Sequence, residues 1–173
     1  MPIPQLQENG LLPSGVHDCS FDDIASLFTW NQHRKQLFDH FLIFVKAELR
    51  PKFPDPIFFD GSFVTDKPSP EDTDVVLDLT GAPDARKWQG LQFMRDHQVR
   101  IKALYRVHFW VNLPGENDLA TFFQYVGIKT ARAKGIHPRQ TKGILRIACW
   151  VSGPTRLNSR HRSFTRSLLL RVT

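Results

Sequence analysis

The chain has 173 residues, a formal charge of +6, 41% hydrophobic and 12% aromatic side chains. That is enough for one packed domain with a short extension, and fourteen Phe with four Trp exclude a disordered body. No apolar run reaches the length of a membrane span, and Met-Pro-Ile-Pro-Gln at the N-terminus has neither the basic nor the apolar region of a secretory signal, so a cytoplasmic protein with no membrane partner is expected.

Cys19 and Cys149 lack metal-ligand spacing and are expected to be free thiols in a reducing compartment. Charge is unevenly placed. Residues 1–118 hold all 17 acidic side chains and 12 basic ones, whereas residues 119–173 hold 11 basic and none acidic. Such a one-sided segment suits contact with phosphate, in nucleic acid or a nucleotide, and equally suits a basic half facing an acidic one.

In chain order, residues 1–19 carry Pro2, Pro4 and Pro13 without periodicity and read as an extended arm. Ser20 with Asp23 three residues on forms an imperfect capping box for a helix from Phe21 to Phe28. A second helix from Asn31 to about Leu49 carries the stripe Leu37, Phe41, Phe44, Val45 and Leu49, and Pro51, Pro54 and Pro56 stop it. His33 and His40 lie on this helix and read as surface residues.

Ile57-Phe58-Phe59 then reads as a buried strand ending at Gly61-Ser62. A polar loop with Lys67, Pro68 and Pro70 leads to a strand over residues 72–79. Beyond the Gly81-Ala82-Pro83 turn, the pattern predicts a helix from Ala85 to about His97, a strand from Tyr105 to Val111, and a helix from Leu119 to about Lys134 ended by Gly135. Residues 142–147 read as a short strand or helix start that closes the core. The division is therefore an arm at 1–19, a domain at 20–150 and a basic tail at 151–173. The fold class is α/β (α+β), a small mixed sheet of three to four strands with helices mostly on one side.

Asp72 and Asp74 stand two apart on a strand, so both carboxylates face one way about 6–7 Å apart. The usual resolution of like charges so placed is a divalent cation, for which oxygen ligands suit Mg²⁺; the alternative is an ordinary hairpin whose acidic turn faces water at a sheet edge. Gly61 allows close backbone approach, and Ser62 offers a hydroxyl and an N–H at a helix start, a place for phosphate. Phosphate holder, spacer and paired carboxylates together form the layout of metal-assisted phosphoryl transfer.

Gly61-Ser62, nine residues, then Asp72-x-Asp74 resembles the signature of the nucleotidyltransferase superfamily, and more narrowly that of the small bacterial minimal nucleotidyltransferases. The block from Pro4 to His17 and the run D-G-S-F-V-T-D-K also resemble an uncharacterised bacterial family of nucleotidyltransferase-like proteins; the likeness covers about residues 2–147. It implies that Asp72 and Asp74 are catalytic and hold Mg²⁺ or Mn²⁺, and that Gly61 and Ser62, with Lys67 in reach, bind the phosphates of a nucleoside triphosphate. An acceptor hydroxyl on a protein or RNA would attack the α-phosphate. The superfamily often places a third carboxylate on the next strand. Here the position falls to His108, a base, a softer ligand or the mark of a reduced cage; Asp78 is about 13 Å from Asp74 along its strand. A rival expectation follows, a catalytically inactive module of the same shape that binds RNA or a protein. Proteins of this type often act as antitoxins beside a HEPN-domain partner.

Overall fold

The computed structural model describes residues 3–113, 115 and 117–148. The expected tail at 151–173 and the Cys149 thiol lie outside them. The fold is α+β. Five strands form one mixed sheet, β1 Gly15–Asp18, β2 Ile57–Asp60, β3 Thr73–Asp78, β4 Val107–Asn112 and β5 Gly143–Ile147, in spatial order β1-β5-β2-β3-β4. β2 runs antiparallel to β3 and β5, while β3–β4 and β1–β5 are parallel pairs. Among the described residues no helix is long and apolar enough to cross a membrane.

Helices α1 (Phe21–Phe28), α2 (Gln32–Phe44) and α3 (Asp84–Tyr105) cover one face. Their Phe28, Phe41, Phe44 and Phe93 enter a single core with Ile57, Phe59, Val75, Leu77 and Phe109 from the sheet. The starts of α1 and α2 follow their caps. Ser20 Oγ accepts from the Asp23 N–H at 3.1 Å and the Asp23 carboxylate accepts from the Ser20 N–H at 2.9 Å, the reciprocal pair of a capping box. Asn31 Oδ1 accepts from the Arg34 N–H at 2.9 Å. Beyond Phe44, α2 continues as a π-helical turn over Val45–Leu49, so the last two residues of its apolar stripe remain buried.

Four expectations are corrected. The N-terminal segment is not wholly an arm, because β1 pairs with β5 at the sheet edge, which gives five strands rather than three or four. Its exposed and half-buried residues alternate over only four positions, too short a pattern to read among prolines and glycines. α3 runs eight residues beyond the expected end near His97, to Tyr105, so β4 begins at Val107. That extension presents Val99 (85% exposed) and Leu104 (57%) to solvent, and only Gly90, Phe93 and Ile101 are buried along the helix, so it has no apolar periodicity to read. The last predicted helix is two, α4 (Leu119–Phe122) and α5 (Ile128–Lys134). Between them the Val126 N–H donates to the Gln140 carbonyl at 3.0 Å and Tyr125 bridges to Thr141, and those pairings replace the helical ones.

α4 covers the opposite sheet face in part. Leu119, Ala120 and Phe123 pack with Trp110 against Phe58, Val76 and Ile144.

Candidate nucleotide site

Strand alternation sends Phe59, Val75 and Phe109 into the helical core and Asp60, Asp74 and His108 to the other face. The register completes the grouping, because Asp60 stands directly opposite Asp74 and His108 stands beside Asp74 on the parallel neighbour. His108 Nδ1 is 3.5 Å from Asp74 Oδ1, and its ring centroid is 4.4 Å from that of Trp110. His108 thus lies beside Asp74.

The two halves of the Gly-Ser and Asp-x-Asp motif meet at Gly61. Its backbone has φ +85° and ψ −164°, a region that only glycine occupies without strain. A Cβ there would lie 2.1 Å from Asp74 Oδ2. Gly61→Ala is therefore expected to cost about 1–3 kcal/mol from backbone strain alone and to push the Asp74 carboxylate from its place. A melt of the variant that matches the parent's would count against this geometry.

Asp60 ends an apolar strand and is 1% exposed, yet it is ionisable. Burial pushes its carboxyl above the usual range; the Lys142 ammonium and the Gly61 N–H pull it back, and Asp74 adds to the rise. Lys142, 6% exposed, ion-pairs with it from the segment leading into β5. Neither residue belongs to a motif that the sequence displays. The signal available was an acid closing the run Ile57-Phe58-Phe59, where a buried charge demands a partner, but nothing local says that the partner is 82 residues away.

Asp72 lies one residue before β3 and takes a different partner from Asp74, the Lys102 ammonium 3.3 Å away in the last turn of α3. Lys102 is half exposed in its side chain, so that pair is readily exchanged. Ser62 opens a single 3₁₀ turn, Ser62–Val64, and its carbonyl accepts from Thr65 Oγ1 at 2.8 Å. Lys67 projects from the loop with an exposed side chain; its carbonyl is bound by Arg34 Nη1 at 2.6 Å.

That spacer between the motif halves is clamped from two sides. From α2 and its cap, Arg34 donates to the Phe63 and Lys67 carbonyls, Asn31 Nδ2 donates to the Pro68 carbonyl at 2.9 Å, and His33 Nε2 lies 2.6 Å from the Pro70 carbonyl. His33 is thus a loop fastener rather than a plain surface residue. From the N-terminus, the Gly10 carbonyl accepts from the Asp66 N–H at 3.0 Å and Leu11 bridges to Thr65, while Lys134 of α5 joins Asn9 O and Asp66 at 2.7 and 2.6 Å.

The donor set bears on a cation. Among the described residues, no group of three or more His, Cys, Asp or Glu side chains is placed to hold a metal ion. Asp60 is committed to Lys142, which leaves Asp72 and Asp74. One or two carboxylates completed by phosphate oxygens is the usual provision for Mg²⁺, which rarely takes an all-protein cage. The residues thus fit Mg²⁺ that arrives with a nucleotide and fit a free ion poorly.

Residues 4–148 match a family described as a family of unknown function (DUF6932). No curated protein and no solved structure matches the chain.

Proposed function

The chain belongs to that family of unknown function, and we propose that it is a cytoplasmic nucleotidyltransferase-like protein that binds a magnesium nucleoside triphosphate where Gly61 meets Asp74. The observation that carries the reading is the contact itself. The absent Cβ of Gly61 and the carboxylate of Asp74 occupy one spot, so the Gly-Ser turn and the Asp-x-Asp strand form one continuous surface.

In the reaction, an acceptor hydroxyl oxygen bonds to the α-phosphorus and its proton passes to water, while the bond from that phosphorus to the β-bridging oxygen breaks and pyrophosphate leaves with the electron pair. Asp72 and Asp74 would hold Mg²⁺, which when bound offsets charge developing on the phosphoryl oxygens. Asp72 must exchange Lys102 for this role, and the exposure of that pair supports the exchange. Ser62 orients the phosphate tail through its hydroxyl and N–H, and Lys67 supplies charge from the loop. The Arg34, Asn31 and His33 clamp holds the spacer, so Ser62 and Asp74 keep their separation before substrate arrives.

One observation favours the rival reading of a binding module without catalysis. All three carboxylates near the site have a basic partner, Asp60 with Lys142, Asp72 with Lys102 and Asp74 with His108.

Thermal melts with Mg²⁺ alone, and with Mg²⁺ plus each nucleoside triphosphate, test the binding step. Mg²⁺ alone is expected to do little. Mg²⁺ with the preferred triphosphate at a hundredfold excess over its Kd should add about 2.7 kcal/mol, or about 5–10 °C. Asp72→Asn with Asp74→Asn should remain folded and lose that shift. If no triphosphate moves the parent's melt, the reading fails. If triphosphates do, transfer of an α-phosphate label to a component of cell lysate separates the enzyme from the binding module.

A further inference from the structure

Phe122, Tyr125 and Ile128 are 64%, 48% and 69% exposed, three large apolar side chains within seven residues. Lys129, Arg132 and Arg139 are exposed on the same segment, and none has an acidic partner among the described residues. The other three bases of residues 119–148 differ, since Lys134, Lys142 and Arg146 pair with Asp66, Asp60 and Asp18. The backbone brings the two sets together. Tyr125 bridges to Thr141, two residues beyond Arg139, and Lys129 and Arg132 are three apart on α5.

Behind this surface a line of rings leads inward. Phe122 and Phe123 are 5.5 Å apart between centroids, Phe123 and Trp110 6.2 Å, and Trp110 and His108 4.4 Å. Among the described residues Trp110 Nε1 is buried without a hydrogen-bond partner, and the line ends at His108 beside Asp74.

We propose that the α4–α5 surface binds single-stranded RNA, with bases stacked on Phe122 and Tyr125 and phosphates on Lys129, Arg132 and Arg139. Exposed aromatics interleaved with unpaired cations are the components of a single-strand groove, because a base offers a π-face and its backbone a charge. A duplex hides its base faces, and RNA is the polymer whose bases are commonly unpaired. Charge also argues against the chain's own remaining segment as occupant, since residues 149–173 hold five Arg and no acid, and like charges repel. The inference stands apart from the nucleotide reading. Where both hold, the ring line places one part of the strand toward the carboxylates and makes RNA the acceptor.

Fluorescence anisotropy of the full chain with a labelled mixed-sequence RNA of about 12 nucleotides tests it, with the matching single-stranded DNA and duplex RNA alongside. Phe122→Ala and Tyr125→Ala sit on exposed side chains and are each expected to weaken RNA binding by about 5–100-fold at constant salt. Lys129→Ala and Arg132→Ala should each flatten the slope of log affinity against log salt by about 0.7. The arginines of the C-terminal segment would bind RNA by charge alone, and the aromatic variants would not disturb that. Unchanged affinity in both aromatic variants therefore overturns the proposal, as does equal binding of the duplex RNA or tighter binding of the single-stranded DNA. A parent dimer in sedimentation that Phe122→Ala converts to monomer would assign the surface to a second copy instead.

Discussion

Arg34→Met is expected to destabilise the domain by about 3–5 kcal/mol, lowering its Tm by about 6–20 °C. Arg34 is fully buried, although a charged side chain is rarely so without a carboxylate partner. Three backbone carbonyls compensate it. Nε donates to Phe28 O at 2.6 Å, Nη1 to Lys67 O at 2.6 Å and Nη2 to Phe63 O. The guanidinium carbon also lies 3.7 Å from the Trp30 ring centroid and 4.4 Å from that of Phe63. Burial pulls its pKa down to about 10, against which Asp66 pushes up, so it is charged throughout the neutral range. Methionine fills much of the volume but strands three acceptors, two of them buried, and each buried one costs about 1–3 kcal/mol, partly offset because a charge no longer leaves water. Arg34→Lys is not expected to rescue the loss, because an ammonium cannot reproduce a planar fork aimed at three carbonyls or stack on Trp30. A chemical denaturation series on the parent, Met and Lys variants measures this. A Lys variant as stable as the parent would show that charge alone, not the fork, fastens the spacer.

How far the sequence discloses this molecule depends on the range of the interaction concerned. The caps at Ser20 and Asn31 are local, three residues from donor to acceptor, and both can be read. The buried strands β2 and β3 can be read because an apolar run bounded by prolines and glycine has few other outcomes. β1 escapes because its partner β5 lies far along the chain, and four alternating residues carry little signal. α3 escapes at its C-terminal end because it is held by Phe93 and Ile101 on one side and a salt bridge from Arg100 to Glu48 (2.7 Å), with Val99 and Leu104 left outside.

The site divides in the same way. Gly61, Ser62, Asp72 and Asp74 form a spaced motif and are visible. The grouping of His108 with Asp74 needs only the order of two parallel strands, so a strand assignment is enough to suggest it. Asp60 with Lys142, and Arg34 with Phe63 and Lys67, need the tertiary fold, and no periodicity encodes them.

Lys142→Met should cost about 3–5 kcal/mol at neutral pH, because it leaves the Asp60 carboxylate buried without its cation. The double variant Asp60→Asn, Lys142→Met should recover much of that, since no charge remains in the site and the Asn amide can still accept from the Gly61 N–H. The pH dependence gives an independent check. The Asp60 carboxyl sits above its unfolded value chiefly through burial, with Lys142 opposing. A carboxyl raised on folding contributes stability that is fully present below its unfolded pKa and lost as pH rises through the folded one. Removing Lys142 removes the main factor holding that folded pKa down, so the loss extends to higher pH in the variant. The deficit of Lys142→Met against the parent should therefore be smallest in acid, where Asp60 is protonated in both, and should grow as pH rises toward neutrality. Melts of the parent and both variants from acid to neutral pH would establish the pattern. A deficit independent of pH, or a double variant as unstable as the sum of the singles, would mean that Lys142 acts by packing its methylenes. Asp60 would then reach the candidate site only through the Gly61 N–H, and the β2–β5 pairing would position Gly61 without help from the ion pair.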